Sequence, residues 1–249
     1  MADVTLLQYA LVGLASLLAS IVGGVAGYGT GLLLPPVLIP LIGAEAVVPV
    51  IGLSALFTNG SRLVAFREHL DLRRAGIVSL FALPFSALGA YGYTLLSGRG
   101  ALLLIGAVLI VLVPARRLMA RRLGHLGDGG LALASSGYGL LVGGTSGSGV
   151  FLISMLLAAG LSGMAVIATD AAISLPVGIV KCAVFLWQGA LPPAAWIMAG
   201  VIGLAAVPGA FVARRLTGGL TLAAHAWILD GVVVLGGTLL LVQGLRAAS

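Results

Sequence analysis

Charged residues are scarce in this sequence, and their scarcity excludes most soluble folds. Only 8% of the 249 residues are charged and only seven are acidic, whereas 60% are hydrophobic. The mean hydropathy is +1.20, far above that of a domain that keeps a polar face toward water. We therefore expect an integral membrane protein, and the long unbroken apolar runs favour helices over the alternating strands of a barrel.

Cysteine is nearly absent as well. The single Cys182 has no partner for an intramolecular disulfide and no companion for a metal site, and we predict neither a metal nor a cofactor. The N-terminus lacks the basic start and cleavage site of a signal peptide, so it is interpreted as a first membrane helix. The net charge of +6 does not indicate nucleic acid, because arginines clustered in short loops are explained by membrane topology.

Ten apolar segments emerge when the chain is divided at charged loops, glycine-rich stretches and proline pairs. Segments 30–43 and 148–161 are too short to cross a bilayer comfortably, so each is predicted to be a half-helix or a strongly mismatched span. The sequence thus predicts an all-α polytopic membrane protein. The segments are 6–22, 30–43, 46–66, 75–97, 100–115, 131–143, 148–161, 164–188, 194–213 and 222–245.

The chain matches itself when it is shifted by 120 residues, without a gap over about two thirds of each half. This self-similarity predicts an internal duplication of five segments plus five. We expect a first repeat at 1–115, a basic cytoplasmic linker at 116–130 and a second repeat at 131–249. Identical pairs are Gly23 with Gly143, Gly24 with Gly144, Gly27 with Gly147, Gly29 with Gly149, Leu32 with Leu152, Leu41 with Leu161, Gly43 with Gly163, Ser54 with Ser174, and Gly89 with Gly209.

The positions of the arginines favour an inverted relation between the repeats. If the N-terminus is external and every segment crosses, nine of the 13 basic residues fall in inside loops, at 67–74, 116–122 and 214–215. The repeat counterpart of the basic 67–74 loop is the uncharged stretch 187–194, as expected if the two loops lie on opposite sides. If the two short segments were re-entrant instead, Arg214 and Arg215 would lie outside.

Two glycine-rich stretches occupy equivalent places in the repeats: the first glycine island, GGVAGYG at 23–29, and the second, GGTSGSG at 143–149. Within a membrane, irregular backbone persists only where it lines a cavity or packs against protein. Free N–H groups and half-helix N-termini at such breaks favour a small anion. Nearby hydroxyls would add donors, yet the glycines could equally serve close helix packing.

Two cations lie within apolar segments, at nearly equivalent repeat positions. Arg62 follows a predicted helix break at Asn59-Gly60, and Lys181 follows one at Pro176. Charge inside a membrane segment costs at least ~2.5 kcal/mol on insertion scales, so each cation is a candidate contact for an anion. The alternative is snorkelling of a long side chain to the interface, above all for Arg62.

Two carboxylates are candidates for ion coupling. Asp170 lies eleven residues before Lys181, about 16 Å along a continuous helix and too far for an ion pair. It could relay protons or bind a coupling cation such as sodium, or it could be an interfacial residue. Asp230 lies deeper in the last segment and is a candidate to neutralise Lys181 or Arg62.

The order of these features resembles the sulfite exporter TauE/SafE family of membrane permeases, also called the TSUP superfamily. The resemblance rests on the first island with the following LLLPPVLIPLIG, on ALFTNGSRLVAFREHLDLR, and on the second copy through ISLPVGIVK, and it extends over essentially the whole chain. It implies transport of small sulfur-containing anions, such as sulfite, thiosulfate or an organosulfonate like sulfoacetate, across the plasma membrane and driven by an ion gradient.

The resemblance also places the glycine islands at the substrate site, where Val25-Ala26 replace Thr145-Ser146 and make the polar contacts asymmetric. We predict a small anionic substrate, a lipid bilayer around the protein and no nucleic acid. Asp170 and Asp230 are the predicted ion-coupling residues. The predicted substrate-binding residues are Gly23, Gly24, Gly27, Gly29, Thr30, Asn59, Arg62, Gly143, Gly144, Thr145, Ser146, Gly147, Ser148, Gly149 and Lys181.

Two other functions fit parts of the sequence. A passive anion channel would also use cations and glycine-lined backbone. Residues 144–147, GTSG, match the GxSG element of rhomboid intramembrane proteases, with Ser146 as nucleophile and His225 as base. Against the protease, the first island has no serine at the position equivalent to Ser146. The transporter, which is not an enzyme, is therefore the favoured interpretation.

Overall fold

The computed structural model describes residues 4–26, 30–122, 126–216, 234 and 237–246. Within these ranges all regular structure is helical, which confirms the predicted all-α polytopic membrane class. The helices are α1 (Leu6–Ala26), α2 (Thr30–Leu33), α3 (Pro35–Ile42), α4 (Ala44–Phe66), α5 (Leu72–Thr94), α6 (Gly98–Arg122), α7 (Asp128–Gly144), α8 (Gly149–Ala158), α9 (Met164–Trp187) and α10 (Pro193–Leu216), with a 3-10 turn at Arg67–His69 and further helix at 237–246.

Four of the described helices are long and apolar enough to cross a membrane by length and composition: α4 with its 3-10 turn, α5, α9 and α10. Their outer faces carry exposed large apolar side chains, among them Leu80, Ile179 and Leu204. Such a surface is unfavourable in water and favourable against lipid. The two short predicted segments are short in the structure too, since 30–43 divides into α2 and α3 and the other contains only the ten residues of α8.

The helix breaks predicted at Asn59-Gly60 and Pro176 are wrong. α4 continues through Asn59-Gly60 to Phe66, and α9 continues through Pro176 to Trp187. In the apolar interior a helix keeps almost all backbone groups hydrogen-bonded, so a membrane helix tolerates residues that would end a helix in water. Arg62 and Lys181 consequently lie on rigid helices rather than beside hinges.

The predicted basic loop at 116–122 is also wrong, because α6 extends through Arg122. The sequence ARRLMARR consists of strong helix formers. It was predicted to be a loop because four of its eight residues are charged. Of the predicted linker at 116–130, residues 116–122 and 128–130 are therefore helical.

Helices from the two halves of the chain pack against each other reciprocally. α1 packs on α10 and α7 on α5, while α4 contacts α9 and α10, and α9 also contacts α5. α4 and α9 run antiparallel, since Arg62 near the end of α4 reaches Asp170 near the start of α9, and Gly52 lies against Lys181 near its end.

α7 and α8 form a hairpin whose tip lies in the interior. The Leu126 N–H donates to the Ala158 carbonyl at 2.8 Å, so the end of α8 lies beside the start of α7. Arg74 donates to the next carbonyl, that of Ala159, at 2.7 Å. Asp71 caps α5 through the Arg74 N–H, and this hydrogen bond holds the pKa of the Asp71 carboxyl below its usual range.

Candidate functional site

A cavity of about 140 Å³ lies between α4, α9 and the tip of the α7–α8 hairpin, and we call it the central cavity. Its wall carries two cations, one carboxylate, several hydroxyls and the glycines at the hairpin tip. The lining residues are Ala19, Ser20, Gly31, Ile51, Gly52, Ala55, Thr58, Asn59, Arg62, Tyr138, Val142, Thr145, Ser146, Gly147, Ser148, Gly149, Asp170, Ser174, Val177, Gly178 and Lys181.

The second glycine island supplies the hairpin tip at residues 145–148, between α7 and α8. Gly147 has φ +83°, a backbone conformation that residues with a side chain rarely adopt, and Leu32 lies directly against it. Gly31 approaches so closely that a methyl group on it would meet the Gly147 nitrogen at 2.7 Å. The backbone after the first island therefore meets the break of the second, an approach that requires glycine on both sides.

The hydroxyls at the tip fall into two groups. Thr145 donates to the Leu141 carbonyl at 2.6 Å, so its hydroxyl satisfies the end of α7. Ser146 and Ser148 are buried, at 6% and 1% exposure, and their hydroxyls have no hydrogen-bond partner within the described ranges. A buried hydroxyl without a partner is costly, which indicates that water or a ligand completes these hydrogen bonds.

The N-terminus of α8 adds positive character at the same place. α8 begins at Gly149, and Ser148 before it makes no side-chain cap. The first N–H groups of a helix have no partner within the helix, and the aligned peptide dipoles give this end a partial positive charge. Together with the two free serine hydroxyls, the helix end forms a surface of hydrogen-bond donors suited to an anion.

Arg62 and Asp170 form an ion pair across the cavity wall. Arg62 Nη1 lies 3.0 Å from Asp170 Oδ2, and the side chains are only 13% and 3% exposed. The Nε and Nη2 groups of Arg62 have no hydrogen-bond partner in the described part of the chain. Asp170 is thus buried rather than interfacial. Arg62 points to Asp170 rather than to the membrane surface, and it uses only Nη1 for this ion pair.

Lys181 secures the end of α7. Its ammonium donates to the Val142 carbonyl at 2.8 Å and to the Thr145 carbonyl at 2.6 Å, and it lies 5.8 Å from the Phe185 ring centroid. The last carbonyls of a helix are otherwise unpaired and carry partial negative charge. Among the residues that the structure describes, no carboxylate pairs with Lys181, and the cation instead stabilises the broken helix while it lines the cavity.

Part of the predicted site lies away from the cavity. Gly143 and Gly144 belong to α7 and pack against Ser86 and Gly89 of α5, so they serve helix packing. This corrects the expectation of irregular backbone from the first residue of the island. A β-carbon on Gly143 would collide with the Ser86 carbonyl, which explains why glycine is required.

In the first island, irregular backbone was predicted from Gly23 onward. Gly23 and Gly24 instead lie within α1, and Thr30 begins α2, so the prediction is wrong at these positions. The remaining predicted members, Gly27, Gly29 and Asp230, fall outside the described residues, as does the His225 considered for protease chemistry. The predicted members that line the cavity are Asn59, Arg62, Thr145, Ser146, Gly147, Ser148, Gly149, Asp170 and Lys181.

Sequence reasoning missed four polar residues of the cavity wall, two of which are Ser20 of α1 and Thr58 of α4. Tyr138 contributes from α7 and Ser174 from α9. Ser174 had a signal, since it aligns with the identical Ser54 in the other repeat. Tyr138 had only the weaker signal of a polar aromatic residue inside an apolar segment.

Long apolar helices around a buried polar cavity define the class: a helical membrane transport protein. Residues 12–240 match the profile of the family described as Sulfite exporter TauE/SafE. The chain belongs to this family, whose name describes transporters rather than enzymes, and the resemblance seen in the sequence is confirmed. No curated protein and no solved structure shows a match to the chain.

Proposed function

We propose that the protein is a secondary transporter of a small sulfur-containing anion across the plasma membrane, with the central cavity as its binding site. The observation that carries this proposal is a set of donors around the cavity that have no hydrogen-bond partner in the described part of the chain: Arg62 Nε and Nη2 and the hydroxyls of Tyr138, Ser146 and Ser148. Five such donors suit a ligand rich in acceptors, as a sulfur oxyanion is.

The charge of the cavity wall supports an anion over a cation. Arg62 and Lys181 contribute two positive charges and Asp170 one negative charge, leaving one positive charge in excess. The side chains that carry these charges are at most 13% exposed, and charges removed from water act more strongly on a ligand. A volume of about 140 Å³ suits sulfite, thiosulfate or a short organosulfonate with accompanying water.

The arrangement of the helices supports alternating access by inverted repeats. α4 and α9, which are repeat counterparts, run antiparallel, as inversion of one half requires. The shift of 120 residues relates α1 to α7 and α5 to α10, so the contact between α1 and α10 and the contact between α7 and α5 are equivalent in the two halves. Short helices that meet near a central site are typical of secondary transporters, so a carrier is favoured over a passive channel.

Ligand binding tests the proposal directly. The purified protein is challenged with sulfite, thiosulfate, sulfate, sulfoacetate and taurine, with acetate as the carboxylate control, and its thermal stability is measured. A ligand that binds only the folded state raises the unfolding temperature by mass action. We expect a selective increase with one or more sulfur anions, and a loss of that increase in Arg62→Gln. Equal responses to acetate and the sulfur anions would contradict the proposal.

A further inference from the structure

We propose that Asp170 carries the coupling proton, and that protonation of its carboxyl releases Arg62 to bind the anion. The inference rests on the proposed function, because it assigns the driving ion of the same site. It would make the protein a symporter that moves one proton with each anion, the proton being taken up by the carboxylate from one aqueous phase and released into the other.

The geometry of the ion pair is the first argument. Only Nη1 of Arg62 contacts Asp170, at 3.0 Å, while Nε and Nη2 have no partner in the described structure. A guanidinium binds an oxyanion best through two parallel N–H bonds, and the free pair is available for this purpose. The carboxylate and the anion therefore compete for one guanidinium.

The competition makes proton and anion binding cooperative. An ionised Asp170 would lie next to the bound anion in a poorly hydrated cavity, where like charges repel strongly. A protonated Asp170 adds no repulsion, offers an O–H donor and leaves the excess positive charge of the wall at two rather than one. Because coupling between sites is reciprocal, the anion must also favour uptake of the proton.

A proton fits this carboxylate better than a sodium ion. A metal cation needs several oxygen ligands, and Asp170 is the only acidic side chain among the described residues that line the cavity. The Arg62 guanidinium, which already occupies one side of the carboxylate, would also repel a cation. A proton needs only the single oxygen.

Other titratable groups surround Asp170, and the test must separate them from it. The groups near the 3-10 turn are exposed or half-buried and equilibrate with water outside the cavity: Asp71, Arg73, Arg74, Asp128 and residues 67–69. Tyr138 and Lys181, in contrast, line the cavity. Apart from Arg62, the titratable or charged groups on α9 and on the described elements that pack against it are Tyr138 on α7, Lys181 and Cys182 on α9 itself, Glu45 on α4, Asp71, Arg73, Arg74, Tyr91 and Tyr93 at or on α5, Asp128 on α7, and Arg67, Glu68 and His69 in the 3-10 turn.

The pair also lies at one end of the contact between α4 and α9. Arg62 lies four residues before the end of α4, about 6 Å along the helix. Immediately beyond it, Ala65 and Phe66 of α4 pack against Ile167 and Ala168 of α9 in a small apolar cluster. We expect release of Arg62 to remove its ion pair with Asp170 at these helix ends, as opening of the cavity on that side would require.

Proton flux in liposomes tests the inference. Full-length protein is reconstituted with a pH dye in the lumen, the membrane potential is clamped, and thiosulfate is added outside in sodium-free buffer. Thiosulfate is chosen because, unlike sulfite, it does not itself exchange protons near neutral pH. We expect lumenal acidification that accompanies thiosulfate entry at about one proton per anion, and wild-type binding at least tenfold weaker at about pH 8 than at about pH 5.5.

Asp170→Asn mimics the protonated carboxyl and is the decisive variant. It should retain thiosulfate exchange, lose proton flux and bind thiosulfate equally at both pH values, whereas the control Asp71→Asn, which keeps a capping side chain outside the cavity, should behave like wild type. Proton flux that persists in Asp170→Asn overturns the inference, and so does wild-type thiosulfate entry without acidification or only with sodium. If Asp170→Asn does not fold, the wild-type flux and binding decide. Failure of every sulfur anion to bind wild type refutes the proposed function itself.

Discussion

Individual side chains around the central cavity divide into those that satisfy the protein and those left for a ligand. Lys181 and Thr145 use their donors on carbonyls at the end of α7. Ser146 and Ser148 use theirs on no described residue. The division matters because removing a group that serves the fold lowers stability, whereas removing a group that serves only the ligand lowers binding.

Ser146→Ala and Ser148→Ala should therefore weaken thiosulfate binding and leave the fold intact. A hydrogen bond to a charged ligand contributes about 1.5 kcal/mol, so each change should weaken binding about tenfold. Titration calorimetry measures the affinity and thermal unfolding the stability. The matched control is Ser154→Ala in α8, whose hydroxyl already donates to the Val150 carbonyl; equal losses at Ser154 would contradict a ligand role. If the protein were a protease with Ser146 as nucleophile, Ser146→Ala would abolish cleavage of a model membrane substrate; we expect no cleavage by the wild type either.

Lys181→Met should loosen the end of α7. Loss of the ammonium removes the donors to the Val142 and Thr145 carbonyls, each such bond to a charged group contributing about 1.5–3 kcal/mol. We expect faster amide hydrogen exchange in residues 142–149 and reduced anion binding, with Cys182→Ala on the same helix as the control. Lost binding with unchanged exchange would show that Lys181 acts on the anion directly.

At the scale of elements, glycine holds helices together in one place and shapes the cavity in another. Gly139 and Gly143 let α7 approach α5 until the backbones touch, whereas Gly147 provides the left-handed turn at the hairpin tip. The same residue type thus has two roles within a single island.

The seam between α5 and α7 should be far more sensitive to a methyl group than the outer face of α7. Gly143→Ala places a β-carbon against the Ser86 carbonyl, while Gly137→Ala places one in open space on the same helix. Overpacking costs about 1–3 kcal/mol, so only Gly143→Ala should lower the unfolding temperature by several degrees. The comparison is made by thermal unfolding in detergent; equal stability of the two variants would show that the seam adapts.

At the scale of the whole molecule, the two halves enclose the site from opposite directions. α4 and α9 run antiparallel beside the site. The basic 3-10 turn lies at one end of this helix pair, and the uncharged stretch after Trp187 follows at the other end. If basic loops are retained in the cytoplasm, we expect the two ends to lie on opposite sides of the membrane.

Labelling of single cysteines in intact cells should reveal this opposition. In a Cys182→Ala background, Gln188→Cys should react with a membrane-impermeant maleimide from outside, and Glu68→Cys only after permeabilisation. Both native residues are exposed, so access is governed by sidedness rather than burial. Reaction of both cysteines from the same side would contradict inverted repeats and would favour re-entrant short segments.

The membrane class and the position of the second break were predictable because they depend on local composition. A run of about 20 apolar residues partitions into lipid whatever its neighbours, and Gly147 between two serines interrupts such a run. The failed helix breaks at Asn59-Gly60 and Pro176 have the opposite cause: rules for helices in water do not apply where water is absent to compete for the backbone.

The sequence by itself determined a helical membrane protein of the TauE/SafE family, with two cations inside apolar segments and a glycine break in its second half. Only the tertiary structure decided that Arg62 faces Asp170 and that Lys181 binds the end of α7, because these partners lie on helices far apart in the chain. It also separated packing glycines from those at the cavity. Hydropathy is a sum over neighbours in sequence, whereas the polar contacts of the cavity depend on which helices become neighbours in space.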